Sequence, residues 1–546
     1  MDNHKTSVVK DGFAETALSI VSGTISVFML LLAVVFPLIY HNSYIDILET
    51  KYQCYYLIVV VLLSVLLVIG LVLLFVDWKE FQGEHAATLF SRLKPSNWKE
   101  TFCAADVAVL LFWVFALIST LQSDYRYESF WGNEGRYSGL FLLTLYIAAY
   151  FIISRFWRVP GWILQALVVS GLIMCVIGIT DYFQMDILHF RERIRADQST
   201  LFTSTVGNIN TYTAYVGIMM GFETALFAGE TDWKQIIWYY VNMTVCFFAI
   251  IMGCSENAYL ALGALFAFLP FWLFRTRRGV LRYLIILSTF ASAIQCIDWI
   301  NQAFADVVVG LDSVFRMLTG FGGLLPVVLL LWVATFAFWW FCCRQDQAEQ
   351  ETGVWPVRGW AAFVIVCAAA LLFMLVDANA FGGGDRYGAL REYLVFNDSW
   401  GTDRGYIWRK SMELYREFPL HHKLFGHGPD TFGILTTYNI RTEMIEQTNR
   451  IYDNAHNAYL QYLVTLGVAG VVTYVVFHAT ALWRMMKNRL QNPYVIACLF
   501  AVLCYDFQAL VNLDLPIATP IMWFLLSVGM AYAGKGKAAE RSDDEE

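Results

Sequence analysis

The sequence predicts an all-α, polytopic membrane protein with about 12 to 14 transmembrane helices and one large, helical extracytoplasmic loop. Hydrophobic residues make up 58% of the 546 residues, and charged residues only 15%. A soluble domain has roughly 25% charged residues, and the mean hydropathy of +0.53 also excludes that class. Apolar runs long enough to cross a bilayer recur from end to end, so the chain crosses it many times.

About fourteen apolar runs have the length of a membrane span, roughly 17 to 25 residues. They cover residues 17–40, 55–76, 103–122, 138–157, 161–183, 206–228, 235–253, 258–274, 283–301, 321–343, 359–376, 458–482, 494–513 and 517–534.

Short basic loops set the expected orientation of these spans. Lysine and arginine are concentrated in the loops after the second, fourth, eighth and twelfth spans, and such loops remain in the cytoplasm. An even number of spans then places both termini there. No small-residue cleavage site follows the first span, so we expect it to stay as an anchor.

This topology divides the chain into four parts. We expect an N-terminal bundle over residues 1–376, a large extracytoplasmic loop over 377–457, C-terminal membrane helices over 458–534, and an acidic cytoplasmic tail over 535–546. The eleven cysteines are scattered and include no CxxC pair, so the sequence predicts neither a zinc site nor a disulfide framework.

The loop at 377–457 is rich in arginine although it is expected outside the cytoplasm. Arginine binds phosphate oxygens in a bidentate manner, so this cluster suggests a polyanionic headgroup as ligand. Thr402 or Asp403 can cap a helix whose first turn contains Arg404, where the helix dipole also attracts an anion. The alternative is that Arg404 forms a structural ion pair.

A histidine stands where this loop meets the next membrane span. Asp453 or Asn454 can cap the helix, which would place His456 in its first turn. The positive end of a helix disfavours the imidazolium, so we expect His456 to be neutral and able to accept a proton. The loop histidines His421, His422 and His427 lack this position, and we interpret them as bystanders.

Several spaced motifs share one order along the chain. They are Trp131-Gly132-x3-Arg136-x2-Gly139-Leu140, then Val206-Gly207-Asn208-x-Asn210, then Arg404-x3-Trp408, Pro419 and Gly426-x-Gly428-x3-Phe432, and finally Ala455-His456-Asn457-x-Tyr459-Leu460-Gln461-x5-Gly467-x2-Gly470. This set resembles the O-antigen ligase and O-antigen polymerase family of bacterial membrane glycosyltransferases.

The resemblance implies an enzyme of the bacterial inner membrane with its active site on the extracytoplasmic face. It would transfer a saccharide from an undecaprenyl-pyrophosphate donor to a glycan, lipid or protein acceptor, inverting the anomeric carbon and needing no metal, cofactor or nucleic acid. His456 would act on the acceptor hydroxyl, and Arg404 would bind the pyrophosphate. Candidate helpers are Arg136, Arg191, Arg193 and Arg195, and the supporting residues are Trp408, Gly426, Gly428 and Asn457.

One segment departs from the family pattern. Many members carry Ser-Arg-Gly at the start of a middle span, whereas this chain has Cys254-Ser255-Glu256-Asn257-Ala258. Arg191, Arg195 or an arginine of the large loop would then replace the missing contact. The spans near 283–343 also exceed the family's usual dozen helices.

A transporter or flippase of lipid-linked saccharides is the alternative function. Such a protein is expected to place charged residues or broken helices near the bilayer midplane. The polar candidates inside the spans are few, namely Asp298, Asp506 and Asn512. The motifs do not separate a ligase from a polymerase.

Overall fold

The computed structural model describes residues 2–343, 347–490 and 492–543. Most of these residues are helical and very few lie in strands, so the predicted all-α class is confirmed. The last helix continues to Asp543, past the predicted end of its span at residue 534. Asp544 to Glu546, the end of the predicted acidic tail, lie outside the described residues.

Nine helices precede the one small sheet of the described residues. They are α1 Asp2–Leu30, α2 Phe36–Leu38, α3 Ile47–Phe81, α4 Glu84–Arg92, α5 Trp98–Thr101, α6 Ala104–Gln122, α7 Arg126–Trp131, α8 Leu140–Phe156 and α9 Gly161–Tyr182. A π-helix at Leu31–Val35 joins α1 to α2. Strands β1 Phe202–Thr203 and β2 Gly207–Asn208 pair antiparallel.

The remaining helices include the large loop and the C-terminal spans. They are α10 Ile209–Gly229, α11 Trp233–Met252, α12 Ala258–Leu273, α13 Arg277–Ala303, α14 Ser313–Thr319, α15 Leu324–Phe338, α16 Trp355–Ala380, α17 Arg391–Leu394, α18 Trp400–Glu417, α19 Leu420–Phe425, α20 Phe432–Thr448, α21 Ala458–Lys487, α22 Pro493–Gln508 and α23 Thr519–Asp543. Short 3-10 turns also occur at residues 95–97, 191–193, 196–201, 347–349 and 383–390, and a π-helix follows α15 at Trp339–Cys343.

The predicted spans agree with these helices. Within the described ranges, nine helices are long and apolar enough to cross a membrane, and four shorter apolar helices accompany them. Helix α10 accounts for the remaining predicted span. It is buried from Thr211 to Ala228, and a Cβ on Gly221 would lie 2.4 Å from the Phe500 carbonyl oxygen of α22. Small residues permit such close helix crossings, so α10 is the centre of the bundle.

Helices α13 and α15 form the pair beyond the usual dozen. The Ser288 and Thr335 hydroxyl groups join them at 3.0 Å, and the Trp332 indole donates to the Ser292 hydroxyl. Leu330 and Val333 of α15 are exposed in the protein alone. An apolar, exposed face of this kind suits contact with lipid, which places α15 at the edge of the bundle.

Helix α21 is broken where the sequence predicted one continuous span. Gly467 has φ 69° and ψ −174°, which is outside the helical region. The rings of Tyr462 and Tyr474 are twelve positions apart yet their centroids lie 4.8 Å from each other, so the helix folds back at the glycine. Residues 458–466 therefore form a separate half-helix beside the large loop.

The large loop has its own small apolar core. The core combines residues of α18, α20, the segment before α21 and the half-helix: Tyr406, Ile407, Phe432, Leu435, Met444, Tyr452, Ala455 and Val464. Val464 belongs to the half-helix, so this core fastens the loop to the start of α21. That connection fixes the position of the segment containing His456.

Candidate functional site

Arg404 follows a left-handed turn. Gly401, Thr402 and Asp403 have φ values of 60°, 60° and 66°, and regular helix begins only after them. The predicted cap by Thr402 or Asp403 is therefore wrong, since a capping residue has extended backbone. The Asp403 carboxylate instead accepts from the Tyr452 hydroxyl at 3.2 Å.

The Arg404 guanidinium contacts the start of α12. It donates to Asn257 Oδ1 at 3.1 Å and to the Gly401 carbonyl at 3.3 Å, and its Nε is buried with no partner in the described part of the chain. Burial lowers the pKa of Arg404, and the nearby Glu256 carboxylate opposes this effect. The side chain is thus a buried cation that retains an unused N–H donor.

The segment that departs from the family pattern lies directly against Arg404. Asn257 accepts from Arg404, and Glu256 accepts from the Tyr393 hydroxyl at 3.0 Å. Ser255 donates to Asn210 Oδ1 at 2.7 Å, which ties this turn to the start of α10. Where the family has an arginine, this chain therefore has an amide and a carboxylate that position the arginine of the large loop.

His456 precedes α21. Its φ is 48°, and the helix cap is Asn457, whose side chain accepts from the Leu460 N–H at 3.0 Å. The expectation that Asp453 or Asn454 caps the helix and that His456 lies in its first turn is therefore wrong. Asn454 Oδ1 instead accepts from the His456 backbone N–H at 2.8 Å.

The His456 imidazole is neutral at pH 7. Burial, the positive charge of Arg404 and the positive charge of Arg136 lower its pKa to about 4. Its Nδ1 is buried without a hydrogen-bond partner among the described residues, and its ring packs edge-on against Tyr452. The neutral state agrees with the prediction, but two arginines and burial produce it, not a helix terminus.

Arg136 comes from the loop between α7 and α8. Its Nε and Nη2 donate to the two carboxylate oxygens of Asp453 at 2.9 and 2.6 Å. Asp430 accepts from the backbone N–H groups of Asn133 and Ser138 at 2.7 and 3.0 Å, which closes the turn containing Arg136. The sequence reading missed Asp430, although it lies inside the glycine motif.

A small polar cavity of about 40 Å³ lies beside these groups. Its lining includes Arg136, Asp430, Asn454, Gln461 and Asp514. Burial raises the pKa of Asp430 to about 7 and also raises that of Asp514. The cavity has room and partners for about one water molecule next to the backbone of His456.

The supporting residues hold the segment in front of His456. The Trp408 indole donates to the Ala455 carbonyl at 2.8 Å, while Gln461 accepts from the Ala455 N–H at 3.0 Å. Both backbone polar groups of Ala455, the residue before His456, are thus fixed. The orientation of the imidazole depends on these two bonds and on the Asn457 cap.

The glycine loop packs into the break of α21. The Gly428 N–H donates to the Thr465 carbonyl and to the Ser119 hydroxyl, both at 2.9 Å. A Cβ on Gly426 would lie 2.1 Å from the Thr465 carbonyl oxygen, and one on Gly428 would lie 2.0 Å from Ser129 Oγ. Gly426 therefore permits close packing of backbone on backbone, and Gly428 permits close packing against the side chains of Ser129 and Ser123.

The other candidate arginines lie in the loop between α9 and α10. Arg191 donates to the carbonyls of Asp181 and Phe202, both at 3.1 Å, and Arg195 pairs with Asp197 at the surface. Arg193 donates to Asn42. After burial, the charges of Arg404 and Arg136 contribute most to the lowered pKa of His456, so these two are the arginines that the structure brings to the histidine.

The remaining loop histidines form a stack. The rings of His422 and His427 are nearly parallel with centroids 3.7 Å apart, and His422 Nδ1 lies 2.7 Å from the Gly426 carbonyl oxygen. Burial lowers the pKa of His427 to about 4. These contacts shape the glycine loop. In the parts of the chain that the structure describes, no three His, Cys, Asp or Glu residues form a group that could hold a metal.

The fold and the site together define a multi-pass membrane protein in which histidine and arginine side chains from the loops lie close together. A sequence model of the O-antigen ligase family matches residues 314–475. The match covers part of the chain, and it is to the same family whose motifs the sequence resembles. The matched segment includes Arg404 and His456, whereas Arg136 and Asn257 lie before it. No curated protein matches the chain.

Proposed function

We propose that this protein transfers a saccharide from an undecaprenyl-pyrophosphate donor to a hydroxyl group of a glycan, lipid or protein. One observation carries the proposal. A neutral histidine, His456, lies close enough to two arginines, Arg404 and Arg136, for their charges to lower its pKa. A neutral imidazole can accept the proton of the acceptor hydroxyl, and guanidinium groups can stabilise a departing pyrophosphate.

The reaction is a single displacement. The acceptor oxygen forms a bond to the anomeric carbon, the bond from that carbon to the pyrophosphate oxygen breaks, and the hydroxyl proton goes to His456. Undecaprenyl pyrophosphate leaves with the electron pair. One displacement inverts the anomeric carbon, and the arginines supply the positive charge that a metal would otherwise provide.

Donor binding also prepares the histidine for its role. With a pKa of about 4, His456 is a weak base, because it is buried and because two positive charges act on it. The negative pyrophosphate offsets those charges, and the pKa of the imidazole then rises toward neutrality. The base thus becomes effective when the donor is present.

Arg404 is the principal pyrophosphate ligand of the proposal, because its buried guanidinium retains an unused Nε donor. Arg136 supplies a second positive charge, although Asp453 engages it. Arg191 and Arg195 remain candidate contacts for the outer part of the donor. The active site then lies on the extracytoplasmic face of the bacterial inner membrane, where such donors and acceptors meet.

The first experiment measures transfer by the purified full-length protein with an undecaprenyl-pyrophosphate saccharide and a hydroxyl acceptor, with chelator present. His456→Ala is expected to lower the rate at least ~100-fold, the usual contribution of a general base. His421→Ala is the matched control, because it removes a surface histidine of the same loop. Normal turnover of His456→Ala contradicts the assigned role.

A transporter of lipid-linked saccharides is the second candidate. The broken helix α21 favours it, as does a buried pair between His478 of α21 and Asp506 of α22, with 2.8 Å between Nδ1 and Oδ1. Both features are typical of transport sites. If vesicles containing the protein move the donor across the bilayer without forming a new glycosidic bond, this function replaces the first.

A further inference from the structure

A groove of about 630 Å³ lies between the first membrane helix and α3. Its volume is within the usual range of ligand sites, roughly 300 to 1,000 Å³. Apolar side chains line one part of it: Leu31, Val35, Ile39, Leu57 and Ile58. Polar side chains line the other part: His41, Asp46, Glu49, Thr50 and Gln53.

The change from polar to apolar follows one face of α3. Asp46, Glu49, Gln53 and Leu57 recur at intervals of three or four residues, which places them on the same side of the helix. Glu49 and Leu57 are separated by roughly 12 Å along the axis. A groove with a polar mouth and an apolar floor at this spacing suits an amphiphile with a headgroup and a hydrocarbon chain.

The polar mouth contains charges of both signs. Asp46 accepts from the Asn42 N–H at 2.9 Å and lies 2.7 Å from His41 Nδ1. Glu49 is exposed. Arg193 of the loop after α9 donates to the Asn42 side chain. Asp46 and Arg193 thus both contact Asn42, and Glu49 lines the same groove one helical turn further along α3, so charges of both signs lie at the mouth, a pattern complementary to a zwitterion.

The far wall of the groove is fixed by a buried lysine. Lys51 Nζ donates to the carbonyls of Phe36 and Pro37 at 2.8 and 2.6 Å. These carbonyls come directly after the π-helix Leu31–Val35, whose turn is wider than that of an α-helix. Helix α3 thus holds the bent end of the first span, and Leu31 and Val35 remain partly exposed toward the groove.

We propose that this groove binds a phospholipid with a primary ammonium headgroup, such as phosphatidylethanolamine. Asp46 and Glu49 receive the ammonium group, Arg193 faces the phosphate, and one acyl chain lies along Leu31, Val35 and Leu57. A net-anionic lipid places its charge against the two carboxylates without an ammonium to offset it. This proposal is independent of the proposed transfer reaction.

The test uses native mass spectrometry of the full-length protein in detergent with equal amounts of phosphatidylethanolamine and phosphatidylglycerol of the same acyl chains. The wild type is expected to retain the ethanolamine lipid at least about threefold over the glycerol lipid. Asp46→Asn with Glu49→Gln is expected to abolish this preference. Glu49→Gln alone, at an exposed side chain, is expected to reduce it without affecting folding.

Glu80→Gln is the matched control, since it neutralises an exposed carboxylate near the other end of α3. It should keep the wild-type preference. Equal retention of both lipids by the wild type, retention of neither, or an unchanged preference in the Glu49→Gln and double variants overturns the proposal. A preference for the anionic lipid would assign the groove to phosphate recognition by Arg193 instead.

Discussion

At the scale of single residues, the charge of Arg404 adds to the effect of burial in lowering the proton affinity of His456. The guanidinium lies within range of the imidazole and disfavours its protonated form, as does Arg136. The two residues are 52 positions apart, and Asn257 of α12 holds the arginine in place. Any anion that neutralises Arg404 would therefore raise the pKa of His456, which in the proposed reaction connects proton transfer to donor binding.

Arg404→Gln is accordingly expected to raise the pKa of His456 from about 4 toward its ordinary value. The pKa rises because the positive charge that opposed protonation of the imidazole is removed. It does not return fully to the ordinary value because burial, the larger cause, still opposes protonation. The pH dependence of carbethoxylation at His456, followed by peptide mass spectrometry, measures this change. Arg416→Gln, at an exposed arginine of the same helix, should leave the midpoint where it is in the wild type.

If the midpoint of the pH dependence is unchanged in Arg404→Gln, the electrostatic coupling between the two residues is contradicted. A midpoint that moves equally in Arg416→Gln would point to the net charge of the loop as the cause.

The sequence predicts His456, Arg404 and Arg136 as candidate site residues, but it does not predict the contacts that hold them in place. The caps were predicted wrongly because Thr402, Asp403 and His456 have left-handed backbone, which side-chain type alone does not reveal. Asn257 contacts Arg404 across 147 positions, and no local pattern reports such a distance. The role of Asp430 became visible only when its bonds to the turn at Arg136 were seen.

At the scale of elements, the break at Gly467 makes the half-helix 458–466 possible. The break leaves the Thr465 carbonyl outside the helical pattern, and this oxygen accepts from Gly428 and Ser119. A Cβ on Gly467 would lie 2.4 Å from the Leu424 carbonyl carbon. The glycine loop and the broken helix are therefore one packed unit.

Gly467→Ala is expected to destabilise the protein by ~2 kcal/mol or more, because alanine is strained at φ 69° and its Cβ meets backbone atoms. Thermal unfolding in detergent, followed by tryptophan fluorescence, measures the effect. Gly263→Ala is the matched control, since nothing lies within 4 Å of its new Cβ in helix α12. An equal unfolding temperature for both variants contradicts the account of the break.

The membrane helices were predictable because length and apolarity alone define a span. The break in α21 was not, since glycine also occurs inside regular membrane helices such as α10. What distinguishes Gly467 is the close contact with Leu424, a tertiary contact. The position of α10 at the centre of the bundle likewise depends on the crossing at Gly221 and cannot be read from its composition.

At the scale of the whole molecule, an even number of membrane crossings, as the sequence predicts, would place both termini on the cytoplasmic side. We predict that a fluorescent protein fused to the C-terminus is fluorescent, and that alkaline phosphatase inserted after Asn449 is active, because its disulfides form only outside the cytoplasm. The same phosphatase inserted after Lys487, at the other end of α21, should be inactive. Activity at both insertion points would contradict the proposed orientation.

The site is assembled from four distant stretches of chain, at Arg136, Asn257, Arg404 and His456. Residues 314–475, the part that the family model matches, contain only the last two. The matched segment alone therefore does not contain the whole candidate site. A fragment made of it alone would keep His456 and Arg404, the proposed base and anion ligand, yet would lose Asn257, whose amide oxygen accepts from Arg404.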